Sequence, residues 1–513
     1  MKIANVRLKK ALIDALVLFG LFIFTCISYL FLKPYFSFVR NGIVPQIVFI
    51  FLITIVIGVG IFLFYKKKIN FIRIIFLLFI ISFLIKVCYM INTPFNCRQY
   101  DTVTSAMDGH EAYAWIIYSE GHLPTTVDGE GHLMYQFYHP PLNALIQAGF
   151  MHIFKPFLEL TNAIFGSKVY DTADMNVMFQ TSQILATMYM TITSYFGVKL
   201  IMSLDFLNNR SKLFGIIFLL FFPRLVQLSG QENNDGICVM LSVIAIYYTY
   251  RWWNTKSWSD ILIIAFAIGL AMMDKLAAAT VALATAFVFI YEFVKDIMSK
   301  DSKKIIRICS QFVIFLLICA PIGLWFQIYA MTKYNQPIGY VFGNLNMALY
   351  TGDHNFFERF INIFDFKDMT VDLWARAFDN YNIPIYLIKS AIFGEFSYWQ
   401  GEGFAALAFI SNYLFILLSI FLYVMYMIKS KGENHKDKLL GLAILISNLV
   451  MDVYFNISMP YGCTMDFRYI VPTLFTGIAL IAHQVEKEGI INKIIYNISF
   501  VFISICILVP FFF

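Results

Sequence analysis

Residues 43–65 read IVPQIVFIFLITIVIGVGIFLFY, a run without a single charge, and Lys66-Lys67-Lys68 closes it. A bilayer core of about 30 Å takes roughly 20 apolar residues of helix, so this stretch reads as a transmembrane helix ending at a basic boundary. Comparable runs lie near 11–32, 71–91, 178–204, 213–229, 236–253, 306–331, 404–428, 439–458, 469–485 and 493–511. The stretch 260–294 is too long for one span and breaks at Asp274-Lys275, so it reads as a tight two-helix hairpin. The expectation is an all-α polytopic membrane protein with about thirteen transmembrane helices.

Composition supports this class. Of 513 residues, 60% are hydrophobic and 14% charged, and Phe (55), Tyr (30) and Trp (7) are abundant. Soluble domains are about half apolar and a quarter charged. Soluble enzymes, disordered chains, coiled coils and secreted disulfide scaffolds are therefore excluded. The net charge of +6 comes from short basic clusters between apolar runs, so no nucleic-acid partner is expected. The eight cysteines form no C-x-x-C pair and no zinc spacing, and most lie inside apolar runs. Cys97 and Cys463 both fall at predicted outer positions, which leaves a disulfide between them open. The run 11–32 is too long for a signal-peptide core and lacks a small-x-small cleavage site, so it reads as a span.

Basic residues set the predicted orientation. With the N-terminus in the cytoplasm, 23 of the 38 Lys and Arg residues fall in cytoplasmic segments, among them Lys2 to Lys10, Lys66 to Arg73 and Lys295 to Arg307. The chain divides into three N-terminal spans (1–91), a first outer loop (92–177), core spans (178–331), a second long outer loop (332–403) and C-terminal spans (404–513). Loops this long usually carry function. In the first, apolar or amphipathic pieces near 110–120 and 142–158 are shorter than a span and are expected along the outer membrane surface.

Chemically capable residues crowd the first outer loop: Asp101, Asp108, His110, Glu111, His122, Asp128, Glu130, His132 and His139. Asp101 and Asp108 follow the third span closely. His139-Pro140-Pro141 opens an apolar helix, with proline at a position where a missing N–H costs little. A histidine there sits near a helix N-terminus, which favours anions.

The run MDGHEAYAWIIYSEGHLP…YQFYHPPLNALIQA (107–148) resembles the first luminal loop of GT-C glycosyltransferases. The similarity is closest to dolichyl-phosphate-mannose protein mannosyltransferases and lipid A aminoarabinose transferases. In those enzymes an Asp precedes a helix, a Gly-containing turn and a His- or Lys-Pro-Pro-Leu. Asp108, Gly121 and His139-Pro140-Pro141-Leu142 stand in that order here. The family Asp is usually followed by Glu, whereas Gly109 follows Asp108 and Glu111 comes later, so Asp101 remains an alternative catalytic residue. QENNDGICVMLSVIAIYY (231–248) resembles a second acidic site opening a span, and GLAMMDKLAA (269–278) resembles a hairpin bearing an outer-end Lys, with Asp274 in place of the usual Thr. That exchange predicts a partly neutralised Lys275. KSAIFGEFSY (389–398) and CTMDFRYIVP (463–472) are further echoes.

The resemblance implies a GT-C-like bundle moving a monosaccharide from a polyprenyl-phosphate donor to an envelope or protein acceptor, in the cell membrane, with acceptor choice expected in the second long outer loop (332–403). The chemistry asks for a general base, Asp108 or Asp101, and fixed cations for the lipid-phosphate leaving group. Lys275 and Arg468 lead that role, with Arg224 and Lys389 behind; His139, Asp235 and Glu232 are expected at donor phosphate or acceptor. Each also has a plainer reading. Asp101, Asp108 and Asp235 could cap helices, Lys275 could snorkel at a span end, and Arg468 could pair with Asp466 or Asp452. No cofactor is required by the sequence; a divalent cation held by Asp108 and Asp235 with the substrate phosphate is a further reading. The aromatic stretch FSYWQGEGF (396–404) could line a sugar or lipid cavity. The rival class is a transporter or lipid flippase, which would show internal symmetry and broken helices; the sequence displays neither.

Overall fold

The structure, a computed structural model, describes residues 2–37, 43–96, 109–125, 137–339, 350–367, 369, 381–394, 402–429, 435–484 and 489–508. Among them the chain is helical, with one isolated antiparallel bridge between Tyr350 and Tyr461 and no strand. The first half comprises α1 (Lys2–Ser37), α2 (Ile43–Tyr65), α3 (Phe71–Asn92), α4 (His110–Glu120), α5 (Leu142–Phe165), α6 (Met175–Gln180), α7 (Gln183–Ser203), α8 (Asn209–Leu220), α9 (Pro223–Gln227) and α10 (Asp235–Thr255). The second comprises α11 (Trp258–Asp274), α12 (Ala279–Met298), α13 (Ser302–Tyr334), α14 (Phe356–Phe360), α15 (Ile383–Phe393), α16 (Glu402–Lys429), α17 (His435–Ser458), α18 (Thr473–Gln484) and α19 (Ile490–Leu508).

Eight stretches among the described residues are long and apolar enough to cross a membrane: Ala11–Tyr35, Val44–Tyr65, Phe71–Asn92, Met175–Ser203, Leu276–Met298, Ser302–Tyr334, Gly403–Ile428 and Lys436–Ser458. The other five expected spans are helical but short, polar or interrupted: α8 with α9, α10, α11, α18 and α19. Length and protein neighbours explain the difference. α11 is apolar but only 17 residues long, and a helix enclosed by others need not be apolar all round: Ser242 and Thr249 of α10 are buried. By contrast Phe51, Ile61 and Phe64 of α2 face outward. The chain is a polytopic membrane protein of helices.

Local chemistry sets several boundaries. Asn70, Asn208 and Asp301 accept hydrogen bonds from the first-turn N–H groups of α3, α8 and α13. Small residues allow α11 and α13 to approach closely: a Cβ on Gly269 would lie 3.2 Å from the Cys319 carbonyl, and one on Gly323 3.0 Å from the Met272 Cβ. The piece expected at 142–158 is a longer helix, α5, and it does not lie alone. Its rings pack on α1 in matching order along both helices, Phe22 with Phe150, Tyr29 with Phe154 and Phe31 with Phe165.

One helix is broken, contrary to the sequence expectation. α8 stops at Leu220, Pro223 starts the five-residue α9, and residues 221–234 run buried to α10. Such backbone survives inside a membrane protein only when its polar groups are satisfied. Ser82 Oγ and Lys86 Nζ donate to the Leu220 carbonyl at 2.6 and 3.3 Å. Thr187 donates to the Ser229 carbonyl at 2.9 Å and Gln183 to that of Gly230 at 2.8 Å. Lys33 of α1 joins the same layer, donating to the Met90 and Thr93 carbonyls and to Gln183. The interruption is thus a bonded element that presents residues 231–235.

Candidate active site

Three segments far apart in sequence meet at the N-terminus of α10. Asn234 stands at the N-cap position of that helix without a side-chain cap hydrogen bond, and Asp235 is its first residue, its N–H donating to Asn233 Oδ1 at 3.1 Å. The capping oxygen is therefore Asn233's rather than Asp235's. Lys275 follows the last residue of α11 in extended backbone, before the 3₁₀ turn Leu276–Ala278 reverses the chain into α12. Arg468 lies in the 3₁₀ turn Phe467–Tyr469, with its N–H donating to Asp466 Oδ1 at 2.8 Å.

Lys275 Nζ lies 2.6 Å from Asp235 Oδ1 and Arg468 Nε 3.1 Å from Oδ2. Both cations lie beside the Tyr469 ring, at 4.5 and 5.3 Å from its centroid. Among the described residues, two cations here face one carboxylate. The three side chains are largely buried and line a small cleft with Ser242, Thr280 and Tyr469. With its oxygens facing two cations, Asp235 is an ion-pair partner here. Among the described residues no three His, Cys, Asp or Glu side chains gather as metal ligands.

The expected neutralisation of Lys275 by Asp274 is corrected. Asp274 is fully buried, and its Oδ1 accepts the Asn143 N–H, at the N-terminus of α5, at 3.3 Å. A carboxylate suits a helix N-terminus, so Asp274 ties α5 to the Lys275 turn. Asn143 Nδ2 also donates to the Asn233 carbonyl, at 3.2 Å. Glu232 is buried against Gln147, whose Nε2 donates to it at 2.8 Å. His139, immediately before the prolines, accepts at its carbonyl from Tyr113 Oη at 3.1 Å, and its ring lies beside Tyr138 and stacks towards His110. The His-Pro-Pro entry, the 231–235 segment and the Asp274-Lys275 turn are thus joined in one polar assembly.

One secondary cation candidate changes role. Arg224 is completely buried, 2.8 Å from Asp466 Oδ1, and donates to Gln227 Oε1 at 3.1 Å. It supports the Arg468 turn from behind. Lys389 is buried in α15 beside the Tyr386 ring. Arg468 pairs with Asp235 rather than with the side chains of Asp466 or Asp452.

Asp101, Asp108, Asp128, Glu130, His132, Cys97 and most of the 396–404 patch lie outside the described residues. His122 forms an exposed contact with Glu120. Glu111, one of the chemically capable residues of the first outer loop and a displaced motif position, is fully buried in α4, and neither of its oxygens accepts a hydrogen bond from a described residue. Burial, and then the nearby Asp174 carboxylate, push its pKa up to about 7. Only its place beside a glycine-started helix hinted at enclosure.

Residues 138–325 match the family model described as dolichyl-phosphate-mannose-protein mannosyltransferase. No curated protein matches the chain. The matched region holds the His-Pro-Pro entry, the 231–235 segment and Lys275, while Arg468 lies beyond it. Over that region the chain is similar to the dolichyl-phosphate-mannose-protein mannosyltransferases, and together with the helical membrane fold this match supports a membrane glycosyltransferase of GT-C type.

Proposed function

We propose that the protein moves a monosaccharide from a polyprenyl-phosphate donor to an acceptor at the extracytoplasmic face, with inversion at the anomeric carbon. The observation that carries this reading is the Lys275–Asp235–Arg468 cluster. A sugar-phosphate diester bears one negative charge, for which Lys275 and Arg468 are the cations at hand. Asp108, or Asp101, takes the proton from the acceptor hydroxyl or amine as its lone pair attacks the anomeric carbon. The bond to the phosphate oxygen breaks with its electron pair, and Lys275 and Arg468 stabilise the charge that grows there, in a site already arranged for it. Asp235 holds both cations in place before donor arrives. His139, at the α5 entry, contacts phosphate or acceptor.

Envelope glycans of a deletion strain and its complemented parent, compared by mass spectrometry, test the proposal. Loss of one defined sugar, restored by the wild-type gene but not by a gene carrying both Asp101→Asn and Asp108→Asn, is the expected result. Unchanged glycans across several growth conditions would overturn the enzymatic reading. Restoration by the double variant would remove both acids as the base.

A further inference from the structure

We propose that residues 356–366 are a membrane-surface anchor whose phenylalanines insert into the bilayer leaflet on the side of the Asp235 cluster. Phe356, Phe357, Ile361, Phe364 and Phe366 are 58, 61, 51, 73 and 39% exposed. At about 200 Å² per large side chain, they present roughly 500 Å² of apolar surface, near the upper end for soluble monomers. The backbone beneath them is firmly held. Asn355 and Glu358 form a capping box on α14, and Arg359 donates to the Asn456 carbonyl near the end of α17 at 2.9 Å. Asn382 grips the Asn362 carbonyl, and Tyr381 Oη donates to Asp365 at 3.1 Å. These rings face outward from an ordered base.

Continuity with the lipid-facing surface identifies the occupant. Phe366 packs on Phe409 and Tyr413 of α16. At 1.5 Å per residue these rings lie roughly 10–16 Å along that helix from its start. On the same stretch of α16, Leu407, Ile410 and Leu414 face outward, as do Val450, Tyr454 and Ile457 of α17. The exposed phenylalanines therefore extend a surface that already meets hydrocarbon, while Glu358 and His354 supply the polar side of an interfacial element. Thr351 donates to the Pro460 carbonyl at 2.7 Å, just upstream of the turns bearing Asp466 and Arg468. The leaflet thus holds the segment that steadies those turns, and this part of the second long loop faces lipid rather than acceptor.

The test uses the intact chain in liposomes containing a trace of phospholipid with a diazirine on its acyl chain. After irradiation and proteolysis, adducts are mapped by mass spectrometry. Adducts within 356–366, at yields comparable to those on the outward residues of α16, are expected. Labelling of Ile410 and Leu414 without labelling of 356–366 would overturn the proposal. So would protection of Phe357 and Phe364 by a crosslinked protein in native membranes, or their rapid oxidation by hydroxyl radicals generated in water.

Discussion

Replacing Asp466 by Asn tests the buried support of the cleft. Arg224 and Asp466 are each fully enclosed, 2.8 Å apart, and the same Oδ1 accepts the Arg468 N–H. The variant removes the countercharge and leaves a guanidinium in the interior facing only neutral side-chain oxygens among the described residues, the amide oxygen introduced at position 466 and Gln227 Oε1. Removing one partner of a buried pair costs about 3–5 kcal/mol, or roughly two to three and a half decades in the folded-to-unfolded ratio at about 1.4 kcal/mol per decade. The double variant Arg224→Met/Asp466→Leu removes both charges and should recover most of the loss. It should still fall about 1 kcal/mol short, because the acceptor for the Arg468 N–H is gone. The coupling energy should therefore be at least about 2 kcal/mol. Reversible SDS titration of the protein in mixed micelles, followed by near-ultraviolet circular dichroism, measures Asp466→Asn and the cycle formed by the wild type, Arg224→Met, Asp466→Leu and their double variant. A cost below about 1 kcal/mol for Asp466→Asn, or a double variant as unstable as the sum of the singles, would refute the reasoning.

Other expectations concern the cleft and its supports. Lys275→Ala should weaken binding of undecaprenyl phosphate about 10–150-fold, the range for a hydrogen bond to a charged group; an unchanged Kd in native mass spectrometry would remove Lys275 from the phosphate site. Glu111 is held protonated up to about pH 7 in the folded chain, whereas its ordinary value is 4.5. The folded state therefore binds more protons between these values, and stability falls as pH rises from about 4.5 through about 7. Thermal melts should show this slope for the wild type and a flatter one for Glu111→Gln. Gly394 has φ +70°, and a Cβ there would lie 2.5 Å from Arg224 Nη1. Gly394→Ala should destabilise the protein by about 1–3 kcal/mol in the same SDS titration, and a neutral result would mean that Arg224 is not pinned.

The class of the fold was legible in local composition. A span is a property of some twenty consecutive residues matched to a slab of hydrocarbon, so runs such as 43–65 and 404–428 declare themselves. Eight of the expected spans are long apolar helices. The remaining five were harder to grade, because some are short, as α11 is at 17 residues, and a helix such as α10, with Ser242 and Thr249 buried against its neighbours, is solvated by protein and escapes the bilayer's demand for apolar residues. The break after Leu220 was hidden for a related reason. Phe221-Phe222 is as hydrophobic as any helix interior, and the side chains that compensate the break, Ser82, Lys86, Thr187 and Gln183, lie in α3 and α7.

Residue types and motif order were enough to nominate Lys275, Asp235, Arg468 and His139. Their partners were decided by tertiary structure. Asp274 adjoins Lys275 in sequence, yet the chain turns its carboxylate to the first turn of α5, and Asp235, forty residues upstream, takes the ammonium. Arg224 looked like a cation for substrate until the fold enclosed it with Asp466. Hydropathy and motif order are carried along the chain, whereas an ion pair depends on which helix ends the bundle brings together.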